Sequence, residues 1–240
     1  MKLKPQDIEI QNIDHLGIVA GIIDAIGIVE IINELIGVEK GEKVNAGQVV
    51  KAMIINGLGF VSKPLYMFPK YFETIACEHL IGTGVKPEYL NDDKLGRVMD
   101  KLFIRGLDTI FFIIALKAAQ KFGVSLSTSH LDSSSMHVHG QYNTSLPEVI
   151  FESQKVRDNQ ELEELAVKSP KEITITYGYS RDHRPDLKQF IIEMICSGDG
   201  DIPIFLKLAS KTENYAEIEQ RWLVVQSQVS TNLAIVNYQH

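Results

Sequence analysis

The residues able to carry chemistry cluster in the second half of the chain. Asp132 ends an apolar-flanked stretch and is followed by Ser133, Ser134 and Ser135. A carboxylate in that setting offers the hard oxygen ligands that a divalent cation takes. An aspartate that opens a hairpin turn instead bonds its own backbone, and the residue types alone leave both readings open. His137 and His139 alternate with Met136 and Val138, which puts both imidazoles on one face of a strand. Two such ligands can hold a transition metal. No third or fourth ligand follows at a fixed spacing, so packed or surface histidines are the competing reading.

The most distinctive stretch is YGYSRDHRPDLKQF, residues 177–190, where Arg181, His183, Arg184 and Lys188 crowd together. Pro185 suits the first turn of a helix running to about Cys196. At a helix entry, free backbone N–H groups and the macrodipole would join these side chains in holding an anion such as a phosphate. The alternative is a solvated turn in which Asp182 and Asp186 pair with the arginines. A phosphate-cradling glycine loop, an HExxH, a nucleophile elbow and a CxxC pair are all missing, which sets those reaction classes aside.

The elements that must position these groups change character near residue 123. Before it the pattern is helical: Ile18, Val19, Ile22, Ile23 and Ile26 mark one face, Gly27 punctuates, and residues 28–36 repeat the spacing. Asn45 caps a helix predicted over 46–60, Asn91 one over 92–105, and Asp108 one over 109–122 that ends at Gly123. Pro64 and Pro69 bracket a short aromatic segment. From residue 124 the pattern predicts strands over 125–132 and 135–142, forming a hairpin across Ser133 and Ser134, then a strand through Ile173, Ile175 and Tyr177. The helix after Pro185, a turn at SGDGD (197–201), a strand over 202–209 and another over 222–225 complete the series. Residues 148–169 are charged without a clean period and read as a loop or a solvated helix.

The chain has 240 residues, 45% hydrophobic and 23% charged, with a net charge of -7. That composition supports packed cores and excludes a disordered chain. The acidic balance argues against a general nucleic-acid binder and leaves room for a local basic site. Cys77 and Cys196 are too few for a disulfide framework. The apolar run at 16–37 is interrupted by Asp24, Glu30, Asn33 and Glu34, and the first eleven residues lack the apolar core of a signal peptide. A cytoplasmic protein without membrane partners is the expectation.

Taken in order, HLDSSSMHVHGQY (130–142), YGYSRDHRPDLKQF (177–190) and DIPIFLKLAS (201–210) resemble the catalytic core of bacterial insertion-sequence transposases of the DDE type. The helical region at 10–122 also resembles the amino-terminal domain that such transposases carry. The resemblance implies an α+β protein: an all-α domain over 1–123, then a partial RNase H-like α/β domain with a mixed sheet over 124–240. It further implies DNA transposition by Mg²⁺-dependent strand cleavage and transfer, in which two aspartates and a glutamate hold two Mg²⁺ ions about 4 Å apart. Asp132 matches the first aspartate, as catalytic residue and metal ligand. Arg181, His183, Arg184 and Lys188 match a neighbouring motif and become DNA contacts. The implied partners are the DNA ends of the element and a homodimer mate or an intact transposase, in a nucleoid-associated setting.

One departure from the family is specific. No aspartate follows Asp201, and the only later acids are Glu213, Glu217 and Glu219. Residues 211–217 resemble the start of the segment leading to the second aspartate, whereas 218–228 resemble sequence lying well beyond it. The expectation is an internal deletion near Glu217 and a truncated, inactive remnant that lacks the second aspartate and the glutamate. The alternative is a DNA-binding or dimerising regulator of transposition without catalysis. A third reading is a small Zn²⁺ hydrolase built on Asp132, His137 and His139. If the helical domain holds a recognition helix, 92–105 with Lys94, Arg97, Lys101 and Arg105 is a better candidate than 46–60, which has only Lys51.

Overall fold

The computed structural model describes residues 11–60, 62–142, 173–178 and 183–210. The chain divides into two compact units, Met1–Ile110 and Phe111–His240.

The first unit is helical. α1 (Leu16–Ile26) and α2 (Ile28–Ile36) meet at Gly27, whose φ of 81° lets its N–H reach back to the carbonyls of Ile23 and Asp24. α3 (Ala46–Gly57) begins with a full capping box: Asn45 Oδ1 accepts from Gln48 N at 2.9 Å and Gln48 Oε1 accepts from Asn45 N at 3.0 Å. Asn33 of α2 adds a third cap by accepting from Gly47 N at 2.8 Å. Orphan donors of the first turn are thereby satisfied. α3 ends three residues earlier than the periodicity predicts, and Asn56 closes the following loop through two bonds to the Lys63 backbone, both 2.9 Å.

A 3-10 turn (Leu65–Met67) leads into α4 (Phe68–Phe72). α5 (Cys77–Ile81) and a second 3-10 turn (Pro87–Tyr89) were not foreseen from the sequence; each is a single turn, too short to show a period. α6 (Asp92–Arg105) starts at its expected cap, with Asn91 Oδ1 accepting from Lys94 N at 3.0 Å. Val49, Ala52, Ile55, Phe68, Phe72, Leu80, Leu90 and Leu95 are almost entirely withdrawn from solvent and form the core.

α7 (Leu107–Phe122) starts one residue ahead of its expected Asp108 cap. The second unit holds β1 (Ser129–Val138), β2 (Lys188–Ser197) and β3 (Pro203–Ala209). They form one antiparallel sheet in the order β1-β2-β3, so the sheet is antiparallel among the described residues where a mixed one was expected. Three further expectations are corrected. The hairpin across Ser133 and Ser134 does not form: β1 runs straight through them, pairing with β2 from Ser129↔Ser197 to Val138↔Lys188. A tight hairpin turn favours Asn or Gly at positive φ, which two serines do not supply.

The helix after Pro185 is the strand β2. Pro185 sits inside a turn closed by Leu187 N donating to Arg184 O at 3.2 Å, and the β-branched Ile191, Ile192 and Ile195 favour the extended chain that both neighbours then pair. The strand expected through Ile173, Ile175 and Tyr177 reduces to one isolated bridge, Thr176↔Gln189. β3 is as expected, and its register slips beside Ile195 and Cys196. Ile195 is buried and packs with Phe112, Leu116, Leu126 and Phe205. The expected strand at 222–225, the segment at 148–169 and the sequence break near 217 lie outside the described residues.

Candidate functional site

Residues facing one another across an antiparallel ladder share a face, as do alternate residues along a strand. Asp132 faces Met194, and His130 faces Cys196. Asp132, His130, Ser134 and Met136 therefore lie on one face. Ser133, Ser135 and His137 lie on the other, opposite the buried Glu193 and Gln189, which flank the face that carries Ile195. Asp132 is exposed on β1, and its Oδ1 accepts from Ser133 N at 2.8 Å. The self-bonding geometry of a turn aspartate thus occurs here in mid-strand.

Two groups not foreseen from the sequence join Asp132. His130, two residues earlier on the same face, sets Nε2 3.5 Å from Asp201 Oδ1. Asp201 occupies the turn before β3 at a positive φ of 52°. Burial raises the Cys196 thiol pKa, and the carboxylates of Asp201 and Asp132 raise it further, so both carboxylates act on the same end of the sheet. The signal that could have found His130 is its two-residue spacing from Asp132, a strand-face spacing that becomes visible only once β1 is read as unbroken.

His137 is separated from Asp132 by an odd number of strand positions and so projects from the opposite face. The His137 and His139 rings stand 6.1 Å apart, nearly perpendicular. A Zn²⁺ site built on Asp132, His137 and His139 is therefore not assembled. Among the described residues no group of three or more His, Cys, Asp or Glu side chains could hold a metal ion. Asp132, even with Asp201 at the same end of the sheet, does not make up the donor set of a centre that must offset the repulsion of two divalent cations.

The four expected DNA contacts divide. Arg181 lies outside the described residues. His183 is exposed at a positive φ of 56°. Arg184 is committed to Asp186: Nε and Nη2 donate to Oδ1 and Oδ2 at 2.9 and 2.8 Å. This fork raises the guanidinium pKa and holds the Asp186 carboxyl below the usual range. Lys188 Nζ donates to the carbonyls of Gln141 and Tyr142 and stands 5.9 Å from the Tyr177 ring centroid. Since 188–197 is a strand, no helix entry adds its dipole to these cations. Lys188 pairs with Val138 on the same face as Asp132, roughly 20 Å away along the strand at about 3.3 Å per residue.

In the helical unit, Lys51 is withdrawn: it is 4% exposed and donates to Asp24 Oδ1 at 2.6 Å. It offers nothing to a ligand, which removes 46–60 as a recognition helix. No single helix among the described residues is long and apolar enough to cross a membrane; α1 and α2 together reach the apolar length with a 55° bend between them.

Residues 8–116 match the model of a family described as "Domain of unknown function (DUF4277)". No curated protein and no solved structure matches the chain.

Proposed function

We propose that this chain derives from an insertion-sequence transposase of the DDE type, that it binds DNA, and that as it stands it does not carry out strand transfer. The observation that carries this reading is the placement of Asp132. It stands exposed in mid-strand on β1, the first strand of an antiparallel β1-β2-β3 series, on the face away from the one Ile195 packs. The order of the three motifs along the chain supports the same reading.

Phosphodiester transfer needs several carboxylates, one metal ion to activate the attacking oxygen and another to stabilise the leaving one. Asp132 supplies one of these ligands, and among the described residues no group of three or more His, Cys, Asp or Glu side chains gathers where it stands. The proposal therefore pairs DNA binding in the nucleoid with absent or greatly reduced catalysis, whether the chain acts alone, as a dimer, or beside an intact transposase. Incubation with supercoiled DNA carrying the element's ends, in Mg²⁺ or Mn²⁺, should leave it intact. Metal-dependent nicking that Asp132→Ala abolishes would overturn the inactive reading. A chain that fails to bind those ends at low salt would overturn the DNA reading.

A further inference from the structure

Helix α6 carries Lys94, Arg97, Lys101 and Arg105 beside Asp92, Asp93 and Asp100, and the first three cations line a cleft that Glu88 also lines. Across this cleft of about 480 Å³, α6 faces the turn that carries Glu39, Glu42 and Lys43. Lys94, Arg97 and Lys101 are three and four residues apart, so they stand on one side of the helix, and all three line the cleft. Lys94 Nζ pairs with Glu42 Oε2 at 2.7 Å, with both side chains mostly covered (16% and 12% exposed). Lys101 Nζ pairs with Glu39 Oε1 at 2.5 Å, but there the side chains are 37% and 63% exposed. Lys43 Nζ sits 4.8 Å from the Tyr89 ring centroid at the same cleft. Arg97 is exposed and acts on Glu39 through space.

These pairs differ in how easily they exchange. The covered Lys94–Glu42 pair holds the turn against α6. An exposed pair such as Lys101–Glu39 is worth little in water, so an incoming oxyanion can take Lys101 while Glu39 turns to solvent. Arg97, with a planar fork suited to phosphate, already faces out between the two lysines. We infer that this cleft is a nucleic-acid contact of the helical unit, in which Arg97, Lys43 and Lys101 hold the oxygens of a phosphodiester. The inference rests on the DNA reading above and gives it a location.

The test uses the full chain and a short labelled DNA duplex, with anisotropy followed over a NaCl series, and inorganic phosphate alone as a second probe. Arg97→Ala should weaken duplex binding by about three- to tenfold and lower the salt slope by about one, whereas Arg97→Lys keeps the slope. Glu39→Gln, which frees Lys101, should tighten binding. Equal affinity of the wild type, Arg97→Ala and Lys43→Ala overturns the cleft while leaving DNA binding elsewhere intact. If the duplex fails to bind at low salt, the cleft and the DNA reading fall together. If inorganic phosphate shifts the Arg97 side-chain NMR signal and the duplex does not, the site is one for free phosphate and the nucleic-acid contact is overturned.

Discussion

At the scale of single residues, the polar groups that the fold withdraws from water matter more than those it leaves exposed. Lys51 is covered and pairs with Asp24, whose side chain is 58% exposed. Removing the carboxylate strands a buried ammonium, whereas replacing the lysine by an apolar residue of similar length removes the problem. Asp24→Ala should therefore cost about 1 to 3 kcal/mol, with the exposure of the carboxylate holding it below a fully buried pair, and Asp24→Ala/Lys51→Met should recover much of the loss in urea melts. The two thiols separate in the same way. Burial, and then Glu78, push the Cys77 thiol from its ordinary 9.0 up to about 11. A raised thiol pKa favours the neutral form in the fold, so its contribution is complete below pH 9 and is lost as pH rises toward 11. A disulfide reagent at pH 8 should label Cys196 in the folded protein and Cys77 only after unfolding; fast labelling of both would contradict this burial.

At the scale of elements, what was legible in the sequence is what local chemistry decides. The starts of α3 and α6 were readable because Asn45 and Asn91 cap them through bonds within three residues. β3 was readable from its apolar run before a glycine-rich turn. β1 and β2 were misread because their form is set by partners far along the chain: Ser134 opposes Ile192, and Met194 lies between Asp132 and Leu206. Neither pairing leaves a trace in the local period, and the same blindness hid the Asp132, His130 and Asp201 grouping. Close packing of elements is likewise invisible locally. A Cβ on Gly47 would meet Val29 O at 2.2 Å, whereas one on Gly96 of α6 would meet nothing within 4 Å. Gly→Ala inside a helix is ordinarily worth up to about 1 kcal/mol. Gly96→Ala should stabilise by about that amount. Gly47→Ala should destabilise by about 2 to 3 kcal/mol, since here the obstacle is backbone and the overpacking cost exceeds the propensity gain. Chemical denaturation of the two variants, which differ only in position, checks the sign of each.

At the scale of the whole molecule, the described residues of the two units are unequally provided with core. Among the described residues, those withdrawn from water in Met1–Ile110 include two phenylalanines and many aliphatic side chains, with Phe72, Val49, Ile55, Leu80, Leu90 and Leu95 all 0% exposed. In Phe111–His240 the described buried apolar residues are Ala115, Ala119, Ile195, Ile204 and Ala209, three of them alanines that bring little area. Apolar burial stabilises at roughly 25 cal/mol per Å², so among the described residues the helical unit holds the larger share of the apolar stabilisation. The sheet unit also buries Gln189, Glu193 and Ser197 on β2, and Ser197 Oγ donates to Asp199 O at 2.7 Å and accepts from Ile202 N at 3.0 Å. Two cooperative transitions are expected in calorimetry, the sheet unit melting first. Ile195→Ala, which removes the centre of the Phe112, Leu116 and Phe205 packing, should lower the first transition alone, by about 2 to 4 kcal/mol of unfolding free energy. Leu95→Ala should lower the second by a similar amount. A single transition that both variants move equally would show that the chain melts as one cooperative body.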